Sequence, residues 1–231
     1  MSITLTAAYT PNVIANITTP GKKEYCQRHG YQHHIEVCNF DIPQWEKDNQ
    51  ISYGFYRILF LLKICQKYPF GDWLVWTDCD AMIMNHTITL DAFIDDSYDL
   101  IIGEDWNGIN TGVFFLQISR DSVKFLQNVL NFQPSDEVKA KYPDWWTRSE
   151  QCAIYCLRDT VRTKVVHHAL FNGYPFGPMW CNDWRHKGLG PTIEGWQPRL
   201  FQVGDFMLHV ASGDLGYKMQ FFNALSDKVI K

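Results

Sequence analysis

Two aspartates one residue apart, Asp78 and Asp80, lie inside GDWLVWTDCDAMIMN, residues 71–85. The apolar run Trp73-Leu74-Val75-Trp76 leads into them, and Ala81-Met82-Ile83-Met84 follows. In an extended segment alternate side chains share one side, so both carboxylates point one way and Cys79 the other. Carboxylates held that close repel unless a cation or a proton joins them. Hard divalent cations take oxygen ligands and commonly divide them between protein and phosphate. The pair therefore suits a metal that also holds a diphosphate. A strand ending in an acidic turn is the plain alternative.

Other residues could serve the same cleft. Asn110, Thr111 and Gly112 follow GEDWNGI and open an apolar strand, where a turn cap would also explain them. Glu104 and Asp105 end the strand before it. Glu150 and Gln151 start a helix, and Thr147-x-x-Glu150 has the form of a capping box, which gives Glu150 a purely structural reading. A phosphatase whose nucleophile lies in a DxD after a strand competes for Asp78, with Gly204-Asp205 as its late acidic motif. Against it, the DxD comes well along the chain and is followed by Ala81.

The elements that must position these residues alternate between strand and helix. Ile3–Tyr9, YQHHIEVCNF, Trp73–Trp76, YDLIIGED, NTGVFFLQIS, KVVHHALFN and DFMLHV read as strands. A continuous apolar run such as Trp73–Trp76 suits a strand buried on both faces of a parallel sheet. Thr19-Pro20 predicts an N-cap followed by proline at the first helical position, in a helix ending near Gly30. Residues 53–67, RDSVKFLQNVLNF, SEQCAIYCLRD and residues 217–230 read as further helices. The expected class is α/β with a mostly parallel central sheet. In such sheets ligands bind beyond the carboxyl ends of the strands, where Asp78 and Asp80 stand. From about Pro134 the chain becomes loop-rich and carries Trp145, Trp146, Trp180, Trp184 and Trp196.

With 231 residues and no repeat or linker, one domain is expected over 1–231. A net charge of −4 argues against a nucleic-acid-binding surface, and no nucleic-acid partner is expected. Seven cysteines without CxxC spacing point to reduced thiols and a cytoplasmic protein. No transmembrane segment or signal peptide is expected.

Four segments together carry a family resemblance: YCQRHGY, LVWTDCDAMIMN, INTGVFFLQIS, and SEQCAIYCL with GDFMLHVAS. In that order, from about residue 25 to residue 212, the chain resembles glycosyltransferase family 34, the galactosyl-, xylosyl- and mannosyltransferases of GT-A fold. The resemblance implies a retaining transferase with a nucleotide-diphosphate sugar donor, a glycan acceptor and manganese, magnesium being the alternative. It implies Asp78 and Asp80 as metal ligands with His209 as the third. Imidazole beside oxygen ligands suits Mn²⁺ better than Mg²⁺. It implies that residues 1–120 bind the donor and 121–231 the acceptor. Asn110 and Thr111 would line the donor sugar, and Glu150 and Gln151 would lie by its anomeric carbon, with Asp105 as a further acid. Arg57, Tyr9 and Lys218 are nucleotide or phosphate candidates. Ser149 stands where plant members carry an acid, and SGDLGYK departs from the family's segment after the metal histidine, displacing Lys218. The family's membrane anchor and stem are expected to be missing. A non-catalytic nucleotide-sugar or carbohydrate-binding protein of the same fold is the other reading.

Attack by the acceptor on the leaving-group face would retain configuration without a protein nucleophile. One or two of the tryptophans in the second half would stack on acceptor sugars, and the rest would be core.

Overall fold

The computed structural model describes residues 1–9, 11–37, 54–142, 144–177, 190–211 and 213–231, with only the backbone of Asp144 and Trp145. Cys38–Phe40 of the second expected strand, Tyr53, Trp180, Trp184, Ser212 and the Trp145 side chain therefore lie outside the described residues.

Six strands form the central sheet: β1 (Ile3–Tyr9), β2 (Gln32–Val37), β3 (Trp73–Thr77), β5 (Leu100–Asp105), β6 (Gly108–Gln117) and β7 (Thr163–His167). Their order is β2-β1-β3-β6-β5-β7. All neighbours run parallel except β6, which is antiparallel to both β3 and β5. The carboxyl ends of the five parallel strands thus share one edge with the amino end of β6. A small second sheet pairs β4 (Ala81–Ile83) antiparallel with β8 (Met207–His209). The class is α/β with a mostly parallel central sheet, as expected.

The apolar run of β3 is buried on both faces. Leu74 and Trp76 pack into one cluster with Phe114, Leu116 and the helix residues Ile58, Leu61 and Leu126. Trp73 and Val75 enter the opposite cluster with Leu5, Tyr25, Phe115, Phe171 and Phe206. Burying each such side chain contributes roughly 1.5–3 kcal/mol, which fixes β3 at the centre of the sheet. The helices of the first cluster include α2 (Gly54–Cys65), α3 (Arg120–Leu130) and α6 (Glu150–Leu157). The opposite face is covered by α1 (Val13–His29). Two short helices, α4 (Asp136–Lys141) and α5 (Asp144–Thr147), precede α6, and α7 (Leu215–Leu225) follows β8.

Several local readings are corrected. Helix α1 begins six residues before Thr19, because Asn12 caps it: the Asn12 side chain accepts from Ala15 N–H at 2.8 Å. Pro20 lies inside that helix and forgoes one backbone bond. Its C-terminus is as expected, with Gly30 at φ 72° donating to the Cys26 carbonyl. Strand β7 stops at His167, and His168–Leu170 coils into a 3₁₀ turn. Gly112 lies within β6 and not in a turn. Trp146 is core, packed on Tyr142 and Cys152.

Candidate metal and donor site

Asp78 and Asp80 belong to a turn between β3 and β4, and not to one extended strand. Backbone bonds place them. Asp78 N–H donates to Gly112 O at 2.7 Å, and Ala81 N–H returns to Asp78 O at 3.2 Å. Helix α1 holds the outer side: Thr18 Oγ1 donates to Cys79 O and Lys22 Nζ to Asp78 O, both at 2.6 Å. Cys79 packs near Ala7, Tyr9 and Ala15. The turn therefore achieves the convergence that strand alternation had suggested.

His209 arrives through the small sheet. Register pairs it with Ala81, and Val210 N–H donates to Asp80 O at 3.0 Å. Asp78, Asp80 and His209 offer ligand atoms all within 4.8 Å of one another. His209 Nε2 lies 3.2 Å from Asp80 Oδ1, while Nδ1 turns away to Asn172 Oδ1 at 2.7 Å. Two carboxylates and an imidazole, with one ring nitrogen directed at the pair and the other engaged elsewhere, form a donor set that fits a divalent cation. Gly112 makes room for it: a Cβ there would overlap the imidazole Cε1 and come within 3.0 Å of Nδ1.

The carboxylates have protein cations as neighbours. Arg57 lies 3.1 Å from Asp78 Oδ1, and Lys218 binds Asp80. Burial pushes the Asp78 carboxyl up, with Arg57 only partly offsetting it. Burial acts the same way on Asp80, but His209 and Lys218 more than offset it and hold that carboxyl below its usual range. Burial also lowers Lys22, to about 8.

Arg57 has partners beyond Asp78. Its guanidinium also donates to the Thr111 carbonyl, lies 3.5 Å from Glu150 Oε1 and stacks 5.3 Å over Trp76. It thereby links Asp78 to Glu150. The capping box expected at Thr147 is absent, because Thr147 ends α5 and Ser149 caps α6, accepting from Cys152 N–H at 3.1 Å. Glu150 is therefore not explained as a cap. It is buried, and Thr111 Oγ1 donates to it at 3.0 Å, with Gln151 Oε1 at 3.4 Å from the same hydroxyl. A side chain on Gly54 would overlap Glu150.

Asp105 and Glu104 part company. Asp105 is buried, which raises its pKa to about 6 although Asn107 N–H and Tyr174 O–H both donate to it, at 2.6 and 3.0 Å. Glu104 instead anchors the loop at 192–196, accepting from Thr192 N–H, Thr192 Oγ1 and Ile193 N–H at 2.6–2.9 Å. It is spent on structure. Tyr9, fixed by a 2.6 Å bond to Thr19, lines a cleft of about 310 Å³ with Asn12, Tyr56, Arg57, Trp76, Asp78 and Asp80. Asn110 Oδ1 accepts from Gly112 N–H and from the Asn172 amide, at 2.9 and 3.1 Å. Lys22, Asn172 and Tyr174 escaped the sequence reading. Each has a partner 37 or more residues away along the chain, and no local pattern marks them.

Comparison with known proteins adds to this geometry. Residues 6–97 match the galactosyl transferase GMA12/MNN10 family. This match, over less than half of the chain, supports the resemblance to glycosyltransferase family 34. An uncharacterized alpha-1,2-galactosyltransferase of Schizosaccharomyces pombe is 24% identical over 249 residues, covering 88% of this chain. The chain spans 64% of that relative's length. Among solved structures, a glycosyltransferase involved in glycosylation of the major capsid of PBCV-1 aligns with TM-score 0.68 and 17% identity, over 97% of this chain and 100% of that one. The galactosyltransferase LgtC, solved with donor and acceptor sugar analogs, aligns with TM-score 0.50 and 12% identity, over 99% and 96%. At these identities the solved structures show the GT-A fold that family 34 members were expected to share. Among the described residues no helix is long and apolar enough to cross a membrane.

Proposed function

We propose that this chain is a retaining, metal-dependent glycosyltransferase. It moves a hexose or pentose from a nucleotide-diphosphate sugar, UDP-linked in preference to GDP-mannose, to an oligosaccharide or other glycan. The observation that carries this is the convergence of Asp78, Asp80 and His209 within 4.8 Å at the carboxyl edge of the sheet, in a chain whose residues 6–97 match the family. In this reading residues 1–120 bind the donor and 121–231 the acceptor, within one domain. The cytoplasm is its place, in keeping with free thiols at Cys26, Cys65, Cys79, Cys152 and Cys156.

Asp78, Asp80 and His209 would hold Mn²⁺, or Mg²⁺ less well. The cation, when bound, supplies the positive charge that a leaving diphosphate needs. The chain's own residues do the rest. Tyr9 and Arg57 line the nucleotide cleft, and Lys218 exchanges Asp80 for the diphosphate. Asn110 and Thr111 orient the donor sugar. Glu150 and Gln151, both within reach of the Thr111 hydroxyl, direct a carboxylate and an amide oxygen at the anomeric carbon, where positive charge develops. Asp105 steadies Asn110 from behind, with the amide 3.5 Å from its carboxylate. The acceptor attacks on the leaving-group face and passes its proton to a donor phosphate oxygen, which preserves anomeric configuration.

A screen of UDP- and GDP-sugars for nucleotide release, with and without Mn²⁺, tests the reading. One donor class should release nucleotide in a Mn²⁺-dependent way, faster with a glycan acceptor. Mn²⁺ and donor binding without any release would instead make this a binding protein. Release of phosphate from simple phosphomonoesters would favour the phosphatase.

A further inference from the structure

We propose that Asn172 positions His209 for the cation by fixing which imidazole nitrogen carries hydrogen. This rests on reading Asp78, Asp80 and His209 as the ligands.

The polarity of the contacts follows from one backbone group. Gly112 N–H can only donate, and it meets Asn110 Oδ1 at 2.9 Å, so that atom is an oxygen. The Asn172 side chain approaches the same oxygen at 3.1 Å, so its NH₂ end must face it. The other end, Asn172 Oδ1, then faces Nδ1 of His209 at 2.7 Å. An amide oxygen only accepts. Nδ1 therefore carries the hydrogen, and Nε2 is the nitrogen directed at Asp80, 3.2 Å away.

A second branch agrees. The Asn172 NH₂ also donates to the Tyr174 hydroxyl at 3.1 Å, and that hydroxyl passes its own hydrogen to Asp105 Oδ2 at 3.0 Å. Every donor in the branch meets an acceptor. Asn172 is fully buried, and His209 and Asp105 nearly so, which leaves no open surface for water to take over the amide's part. Backbone bonds hold the two segments together: Gly173 N–H donates to Met207 O at 3.0 Å and His209 N–H to Gly173 O at 2.7 Å. A partner on the distal nitrogen is how proteins set the tautomer and orientation of a ligating histidine.

Two measurements test this. Calorimetric titration of Mn²⁺ alone into the native protein and into Asn172→Leu should show affinity about 10–100-fold weaker in the variant, with the circular dichroism of the two proteins alike. Nitrogen-15 spectra of histidine-labelled native protein without metal, assigned by the signals missing from His209→Gln, should show hydrogen on Nδ1 of His209. This spectrum needs no Asn172 variant to fold. Equal Mn²⁺ affinity in Asn172→Leu, or a His209 ring with hydrogen on Nε2 alone, overturns the proposal. Should the native protein bind no Mn²⁺, the ligand reading fails and takes the metal-positioning role with it.

Discussion

Gly112→Ala probes the candidate metal site without replacing a ligand. The new methyl would overlap Cε1 of His209 and stand 3.0 Å from both its Nδ1 and Asn110 Oδ1. Strand β6 is held on both sides by β3 and β5, so its backbone cannot yield easily. The imidazole has to retreat from 2.2 Å by roughly 1.3–1.8 Å to reach van der Waals distance. Overpacking of this kind costs about 1–3 kcal/mol, and each kcal/mol lowers Tm by about 2–4 °C in a domain of this size. Displacement of about 1 Å at a reacting site can lower turnover by about 100-fold. Mn²⁺ titration by calorimetry, thermal melts with and without Mn²⁺, and nucleotide release give the three readouts. Gly21→Ala is the control, because its Cβ meets nothing within 4 Å and it lies in helix α1. It should gain about 0.5–1 kcal/mol and bind metal normally. If Gly112→Ala matches the native protein in Tm, Mn²⁺ affinity and rate, the close packing of His209 on β6 is wrong.

Further outcomes follow from the same geometry. Glu150→Gln and Gln151→Ala should each cut kcat, by about 100-fold or about 2.7 kcal/mol of barrier, with donor KM little changed; wild-type rates in both would move the search for the catalytic acid to Asp105. His168 is buried, and its Nε2 has no partner among the described residues. Burial lowers its pKa to about 4 from an ordinary 6.5, so the unfolded chain binds more protons between those values. Stability should be level above pH 6.5 and fall as pH drops toward 4, by about 3 kcal/mol in all. Urea melts across that range should lose this component in His168→Leu; an unchanged slope would mean that His168 is not the titrating group.

The sheet was legible because its signals are local. Trp73–Trp76 is continuously apolar since both its faces are buried, and the acidic pair follows just after Thr77. Helix boundaries were less so: Thr19-Pro20 looks like a start, yet α1 begins earlier, capped by Asn12. At α6 a Thr147-x-x-Glu150 pattern obscured the cap that Ser149 provides, and with it the freedom of Glu150 to face Thr111 and Arg57. Strand alternation gave the right convergence of Asp78 and Asp80 by the wrong geometry, because the chain turns there. Asn172 and Lys22 were invisible because their partners are reached only through sheet register and helix docking. Glu104 and Asp105 are adjacent acids at a strand end, and only the path of the 192–196 loop assigns one to structure and leaves the other in the site.

The claim on which the rest depends is that Asp78, Asp80 and His209 together hold a divalent cation needed for transfer. Mn²⁺-dependent nucleotide release by the native protein, by Asp80→Asn and by His209→Ala, each after chelator treatment and re-addition of Mn²⁺, measures it directly. Native activity should disappear with chelator and return with Mn²⁺, while both variants stay inactive at every Mn²⁺ concentration with metal-free melting temperatures near that of the native protein. Full activity of either variant, or native turnover that survives in chelator, would contradict it.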